Sequence, residues 1–269
     1  MTDTIPEIVV HTVTELVAAV PGITKDFGGH GDTWWRGHSR WQPSHPVGPK
    51  GHWQLVPGVY RDGKNRTYEH NAVAQFVTRA PARYPACPPA LSVSTAPDWL
   101  FLMQHYGVPT RLLDWTKSPL IAAFFAVSEH QDDADAVVWA LNPFTLNLAN
   151  AGYAGILMPF GDMKPAIGAL FVHPFNREMA PTEKVVAVAA KEIDMRMLVQ
   201  LAAFTIHGTE TPLETVPSAN SFLRRLVIPA AAKKSMHEQL EVLGLRHSTL
   251  FPDLQSLAQE LKTRLFTVL

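Results

Sequence analysis

Polar residues that could do chemistry crowd into one stretch of the chain, residues 99–127. Two strongly apolar segments there enclose four polar side chains, His105, Arg111, Asp114 and Thr116. A guanidinium binds anions through its planar fork, and a carboxylate or an imidazole exchanges protons. An unpaired polar group costs about 1–3 kcal/mol when it is buried. These groups therefore either pair with one another or bind a ligand, and the stretch is a candidate site.

Each candidate also has a purely structural interpretation. Arg36, which lies in an earlier apolar run, could form an ion pair with Asp114 that only joins two strands, and Arg111 could pair with a nearby carboxylate. His105 could bond to a backbone carbonyl, and Thr116 could cap the helix that follows it. Both interpretations remain open at the level of sequence.

Composition predicts a globular protein with one domain over residues 1–269. The chain is 46% hydrophobic, and its 23 Lys and Arg against 24 Asp and Glu leave a formal charge of −1. This balance does not favour general nucleic-acid or membrane binding. The single cysteine, Cys87, cannot form an intramolecular disulfide, and no signal segment is visible, so we expect a cytoplasmic location. The 12 histidines are scattered, and we expect no metal site.

The first elements place Arg36 on a strand. Thr12 and Glu15 predict a capping box that opens a helix over about 12–20, which Pro21 and Gly22 should end. This helix should pack on a core formed by about 30–260. The apolar run over 33–37 predicts a short strand with Arg36 near its end, and many Pro, Gly and Trp predict a long loop over 40–64.

The central stretch predicts a helix, a strand and a second helix. Thr95 and Asp98 resemble another capping box, and the strand alternation after residue 110 places Asp114 and Thr116 on the same face. Ser118 should cap the next helix, which is apolar all round and therefore buried. The polar cluster thus lies at the mouth of a buried helix.

The rest of the chain predicts strands over 135–141, 203–207 and 223–228, with an irregular region over 142–192. Gln200 directly precedes the strand over 203–207. Two amphipathic helices, over 233–243 and 252–265, should close the chain as scaffold, with Leu254, Leu257 and Leu261 among the apolar positions of the second helix.

Several of these motifs resemble the FRG domain family, which is named for an aromatic-Arg-Gly motif. The matching segments are Trp35-Arg36-Gly37, the run from Gln104 to Thr116, Pro119 to Ala126, Phe204 to His207, and Thr249 to Leu254. Together they extend over most of the chain from about residue 30. This chain departs from the family in two ways: Trp35 stands where Phe or Tyr is usual, and Leu201-Ala202-Ala203 follows Gln200 where a glycine is often found.

The order of elements is also similar to that of ADP-ribosyltransferases. This resemblance implies an α+β fold, a single mixed domain whose central, mainly antiparallel split β-sheet is flanked by helices. It implies that NAD is a substrate and that no metal is needed. The implied catalytic residues are Arg36, Asp114, Thr116 and Gln200. The implied cofactor-binding residues are Arg36, His105, Tyr106, Arg111 and Trp115.

Within that resemblance, Gln200 occupies the position of a glutamate. Cleavage of the nicotinamide–ribose bond passes through an oxocarbenium-like state that a carboxylate stabilises better than an amide does. Gln200 could instead be a satisfied interior amide. Another acid, such as Glu69, Asp114 or Glu210, would then have to supply the charge.

Three hypotheses follow. The first is a mono-ADP-ribosyltransferase that modifies a nucleic acid or protein, as a toxin or phage-defence effector with a possible inhibitor protein; this biological setting comes from the resemblance alone. The second is a non-catalytic module that binds a nucleotide or a partner. The third is a nuclease or hydrolase that uses Asp114, His105 and Glu69. A local basic patch of Arg61, Lys64, Arg66 and Arg79 could guide a nucleic-acid strand or could be a solvated face.

Overall fold

The computed structural model describes residues 4–29, 32–41, 54–61, 66–129, 133–159, 165–176, 178, 180, 182–189, 191–192 and 194–266. Most of the loop expected over 40–64 lies outside these residues, as does Lys64 of the basic patch. Among the described helices, none has both the length and the apolar character needed to cross a membrane.

The described strands form one mixed, open sheet. They are β1 (Glu7–Val9), β2 (Trp34–Trp41), β3 (Leu112–Thr116), β4 (Asp135–Leu141), β5 (Val185–Val188), β6 (Ala202–His207) and β7 (Leu223–Ile228). Their spatial order is β1-β7-β4-β2-β3-β6-β5, and every strand pair except β1–β7 is antiparallel. The expected α+β architecture with a mainly antiparallel sheet is confirmed.

The sheet has a narrow joint in its middle. Strands β2 and β4 pair along most of their lengths, as do β3 and β6. Strands β2 and β3, in contrast, are paired at one position only, between Trp35 and Thr116. The two halves of the sheet therefore diverge beside this pair, and polar side chains of β2 and β3 can occupy the space that opens there.

Helices cover both faces of the sheet. They are α1 (Val13–Asp26), α2 (Arg66–Arg79), α3 (Ala96–His105), α4 (Pro119–Val127), α5 (Pro143–Ala151), α6 (Pro165–Val172), α7 (Met195–Val199), α8 (Ala219–Phe222), α9 (Ala230–Val242), α10 (His247–Leu250) and α11 (Leu254–Phe266). The region expected to be irregular over 142–192 contains α5, α6 and β5. Its many Gly and Pro residues lie partly at the ends of these elements, where they obscure the short periodic patterns.

Helix α1 begins where the sequence predicts and ends later. The Thr12 hydroxyl accepts from the Glu15 N–H at 3.1 Å, and the Glu15 carboxylate accepts from the His11 N–H at 2.8 Å. The predicted end at Pro21 is wrong, because the helix continues to Asp26. Pro21 lies on the exposed side, whereas Ile23 in the next turn is buried in the core. That burial offsets the one backbone hydrogen bond that proline cannot make.

The capping box expected at Thr95 and Asp98 is wrong. The Thr95 hydroxyl accepts from the Ser92 N–H at 2.8 Å and donates to the carbonyl of Ala90 at 3.0 Å. It is therefore used by the preceding turn, and it makes no capping bond to α3. Helix α3 still begins one residue after Thr95, with a proline in its first turn.

Helix α4 lies directly against β2, and Gly37 allows this contact. A Cβ atom at Gly37 would stand 1.9 Å from the Ala122 carbonyl oxygen and 2.6 Å from the Ala126 nitrogen. Both are backbone atoms of α4, so they cannot avoid the added carbon by a change of side-chain rotamer. The helix is buried around most of its circumference, as its apolar sequence predicts. The glycine after Arg36 thus sets the depth of the helix behind the polar residues.

The two closing helices differ in burial. Helix α9 places Met236 and Leu240 in the core. In α11, by contrast, Leu254, Leu257 and Leu261 are 84%, 47% and 47% exposed. The apolar positions of α11 therefore face away from the core, because this helix packs mainly on the short α10.

Candidate functional site

A cleft of about 830 Å³ opens beside the narrow joint of the sheet. Strands β2 and β3, the ends of α3 and α4, and helix α7 form its walls. All four predicted catalytic residues line it, namely Arg36, Asp114, Thr116 and Gln200. The fold thus brings together residues that are up to 164 positions apart in the chain.

Arg36 joins the two halves of the sheet. Its Nη1 donates to the backbone carbonyl of Asp114 at 2.6 Å and lies 3.9 Å from the Asp114 Oδ2. Its Nε donates to the Nε2 of His38 at 2.9 Å, which requires the neutral His38 ring to carry its proton on Nδ1. The Arg36 side chain is 17% exposed, so it is held firmly but still reaches the cleft.

Asp114 is oriented by a residue that the sequence analysis did not single out. The Gln104 amide donates to the Asp114 Oδ2 at 2.8 Å, and the Gln104 carbonyl oxygen accepts from the Thr110 hydroxyl at 2.6 Å. The Asp114 side chain is 56% exposed. Gln104 opens the run that matches the FRG pattern, which was the available signal for its role.

Thr116 and Gln200 support the wall of the cleft. The Thr116 hydroxyl donates to the Gln200 backbone carbonyl at 2.7 Å and accepts from the Ser118 N–H at 3.1 Å. The Gln200 amide donates to the backbone carbonyl of Leu250 at 2.9 Å. These contacts match the structural interpretation of both residues, because the Thr116 hydroxyl and the Gln200 amide N–H are bonded within the protein.

The structure does not bring Arg111 to the cleft. Arg111 is 2% exposed, and its guanidinium forms a bidentate ion pair with Glu69, which is fully buried. Its Nη1 also donates to the Leu170 carbonyl at 3.1 Å, and its Nη2 lies 3.1 Å from the Nδ1 of His173. Arg111 and Glu69 therefore connect α2 and α6 to the sheet, and the anion that Arg111 binds is part of the protein.

Three other predicted contacts also differ from expectation. The His105 Nδ1 lies 2.8 Å from the Asp194 Oδ2, and Tyr106 packs edge-on against His105 outside the cleft. The indole N–H of Trp115 donates to the Thr205 hydroxyl at 3.0 Å. Although Trp115 contributes to the wall of the cleft, its ring is buried on the opposite face of β3 and cannot stack on a ligand.

Three charged residues of the cleft were missed, namely Arg40, Glu129 and Arg196. Glu129 lies two residues after the end of α4, and its Oε2 accepts from the Ser39 hydroxyl at 3.1 Å. Arg40 was missed because β2 was expected to stop at residue 37. The alternation of a longer strand would have placed Arg40 on the same face as Arg36.

Burial and a neighbouring cation act together on Arg36. Burial, with a smaller effect from the charge of Arg61, lowers its pKa to about 10, although Asp114 acts in the opposite direction. Burial, together with the charges of Arg36 and Arg61, lowers the pKa of His207 to about 3. A bound anion would relieve this excess of positive charge.

The family model of the FRG domain matches residues 32–135, so this part of the chain is similar to an FRG domain. The matched segment includes Arg36, Gly37, Gln104 and Asp114, and thus two strands of the cleft. Gln200 and the motif over 249–254 lie beyond it. No curated protein and no solved structure matches the chain.

Proposed function

We propose that this protein binds NAD in the cleft and transfers its ADP-ribose group to a nucleic acid or protein. The observation that carries the proposal is the meeting of Arg36 and Asp114 at the joint of the sheet, inside a cleft of about 830 Å³. That volume falls in the range of roughly 300–1,000 Å³ that small-molecule sites occupy.

The reaction sets the requirements for the residues. The bond between the ribose C1′ and nicotinamide breaks, and nicotinamide leaves with the bonding electron pair. A nucleophile of the acceptor then bonds to C1′ and gives up its proton. The oxocarbenium-like transition state needs a carboxylate nearby, and the NAD diphosphate needs a cation. Arg36 meets the second requirement because its guanidinium is held in place by Asp114 and His38.

Glu129 is the carboxylate that we assign to the reaction. Glu69 is buried against Arg111, and Glu210 does not line the cleft. Among the described residues of the cleft, the carboxylates are Asp114 and Glu129. Asp114 contacts Arg36 and Gln104 and serves to orient Arg36, whereas Glu129 is bonded at one oxygen by Ser39 and is exposed. Glu129 would stabilise the cation and accept the acceptor's proton.

The biological setting of the proposal comes from family resemblance alone. It comprises a cytoplasmic toxin or phage-defence effector, an acceptor macromolecule and a possible inhibitor protein. The structure supports only the chemical part of the proposal, through the residues of the cleft. The labelling experiment below would identify the acceptor.

A second candidate is a module that binds a nucleotide without turning it over. One observation favours it: an amide stands at the position of the usual glutamate, and its N–H donates to the Leu250 carbonyl within the protein. The hydrolase hypothesis is weaker. Its three residues are separated, since Glu69 pairs with Arg111 and His105 with Asp194. Within the described residues, no group of His, Cys, Asp and Glu could hold a metal ion.

The test uses NAD labelled in the adenylate phosphate, incubated with the full chain and cell lysate. Label should enter either the nucleic acid or the protein fraction, and nicotinamide should be released in step. The Glu129→Gln variant should lose roughly 10²–10³-fold of the transfer rate. The control is Arg83→Ala, since Arg83 is exposed and its side chain, among the residues that the structure describes, donates only to the carbonyl of Arg79. NAD binding without turnover would instead favour the non-catalytic module.

A further inference from the structure

Arg196 enters the cleft from helix α7, on a different element from Arg36. Its guanidinium carbon lies 4.5 Å from the centre of the Phe251 ring. Within the described part of the chain, this cation–π contact is the interaction that Arg196 makes through its charged group, and Arg196 forms no ion pair there. Because the contact uses the flat face of the guanidinium, the N–H donors along its edge stay available to a ligand.

The Phe251 ring is itself held on several sides. The His247 ring stacks on it at 4.3 Å between centroids and 14° between planes, and Phe125 of α4 packs against it edge-on at 6.1 Å. The neighbouring Leu250 carbonyl accepts from the Gln200 amide. The segment over 249–254 therefore supports α7 from behind, and it fixes the position of Arg196 without neutralising its charge.

We propose that Arg36 and Arg196 together bind the diphosphate of a nucleotide, with each guanidinium taking one phosphate group. Two positively charged side chains from separate elements line one cleft. The Asp114 Oδ2 lies 3.9 Å from the Arg36 Nη1, whereas Arg196 forms no ion pair with any described residue. Phosphate oxygens fit the planar fork of arginine, so each contact is a charge-assisted hydrogen bond.

The acidic residues of the cleft restrict further which ligands can bind there. Asp114 and Glu129 line the cleft. A carboxylate can accept hydrogen bonds from sugar hydroxyls, and it repels the additional charge of a longer polyphosphate. The arrangement therefore suits a diphosphate that has a ribose on either side, as in ADP-ribose. The assignment of this ligand to NAD rests on the proposed function, whereas the role of Arg196 in binding does not depend on turnover.

The test measures binding of ADP-ribose, ADP and adenosine to the full chain by calorimetry. Arg196→Ala should weaken ADP-ribose and ADP binding at least tenfold and leave adenosine binding unchanged, since adenosine has no phosphate. Arg196→Lys should have an intermediate effect, because it keeps the charge and loses the fork. Phe251→Leu should also weaken ADP binding, because it removes the ring that positions Arg196. Thermal unfolding checks that each variant is folded.

Two results would overturn the proposal. One is wild-type affinity for ADP-ribose in Arg196→Ala and in Arg196→Lys, and the other is an equal loss of adenosine binding. The proposed transferase fails separately: if ADP binding depends on Arg196 but no ADP-ribose is ever transferred, the binding role stands and the catalytic role falls. If ADP-ribose is transferred and Arg196→Ala has the wild-type KM for NAD, the catalytic role of the protein stands and the binding role of Arg196 falls.

Discussion

Arg36 and Asp114 meet at the one place where the two halves of the sheet are joined. The guanidinium donates to the Asp114 backbone carbonyl at 2.6 Å, and the Asp114 carboxylate is held by Gln104 at 2.8 Å. The sequence left two interpretations of this pair open, a structural ion pair and a ligand site. The geometry combines them, because the contact that joins the strands also fixes a partly exposed cation in a cleft.

Gly37→Ala should prevent folding or destabilise the protein severely. The new methyl group would stand 1.9 Å from a backbone oxygen of α4, so the helix would have to move away from the sheet. Overpacking of this kind costs at least about 1–3 kcal/mol. The control is Gly22→Ala within α1, where no atom lies within 4 Å of the added carbon. That change should stabilise the protein by about 0.5–1 kcal/mol in urea unfolding. Equal effects of the two changes would contradict this account of Gly37.

Leu201→Gly should stabilise the protein or leave its stability unchanged. Leu201 has φ of 49°, in the left-handed region that glycine adopts without strain, and it is 45% exposed. Relief of the strain is worth about 1 kcal/mol, from which the added freedom of the unfolded chain subtracts. Ala202→Gly, in β6, is the matched control and should destabilise. A clear loss of stability in Leu201→Gly, without a loss in Ala202→Gly, would show that the backbone of Leu201 is not strained.

Arg111→Met should lower the free energy of unfolding rather than alter ligand binding. It leaves the Glu69 carboxylate buried without its partner, which typically costs about 3–5 kcal/mol. Adding Glu69→Gln should recover part of this loss, and a double-mutant cycle in urea measures the coupling. Weakened ADP-ribose binding at unchanged stability would restore the sequence-based prediction that Arg111 contacts a cofactor.

Glu214 should make stability depend on pH. Burial raises its pKa from 4.5 to about 7, although its carboxylate accepts from the Leu55 N–H at 3.0 Å. Because the folded-state pKa lies above the unfolded one, its contribution is fully present below pH 4.5 and is lost as pH rises to about 7.

Glu214→Gln should therefore gain stability relative to the wild type between pH 4.5 and 8, on the order of 2 kcal/mol. His207 acts in the opposite sense, since its lowered pKa costs stability as pH falls from 6.5 to about 3. Both proteins contain His207, so its effect cancels in the comparison. A constant difference in unfolding free energy across this range would show that Glu214 has an ordinary pKa.

Local patterns predicted the elements around the cleft well. The alternation after residue 110 placed Asp114 and Thr116 on one face, and both line the cleft. The all-apolar helix and its Ser118 cap were also predicted correctly, since the Ser118 hydroxyl accepts from the Ile121 N–H. These features depend on neighbours within four residues, and a single sequence contains that information.

The long-range partners were not predictable in the same way. Nothing local shows that the Gln200 amide meets the carbonyl of Leu250, 50 positions later, or that Arg196 lies over Phe251. Arg111 was misassigned for the same reason, because its partner Glu69 comes from a helix 42 positions earlier. The types of these residues allow many pairings, and only the tertiary fold selects one.

The central claim is tested most directly by the rate of nicotinamide release from NAD by the purified chain, with and without acceptor. We predict release that Arg36→Ala lowers through a higher KM, Glu129→Gln lowers through kcat, and Arg83→Ala leaves unchanged. Absence of release by the wild type in the presence of lysate, or a full rate in Arg36→Ala, would contradict the account.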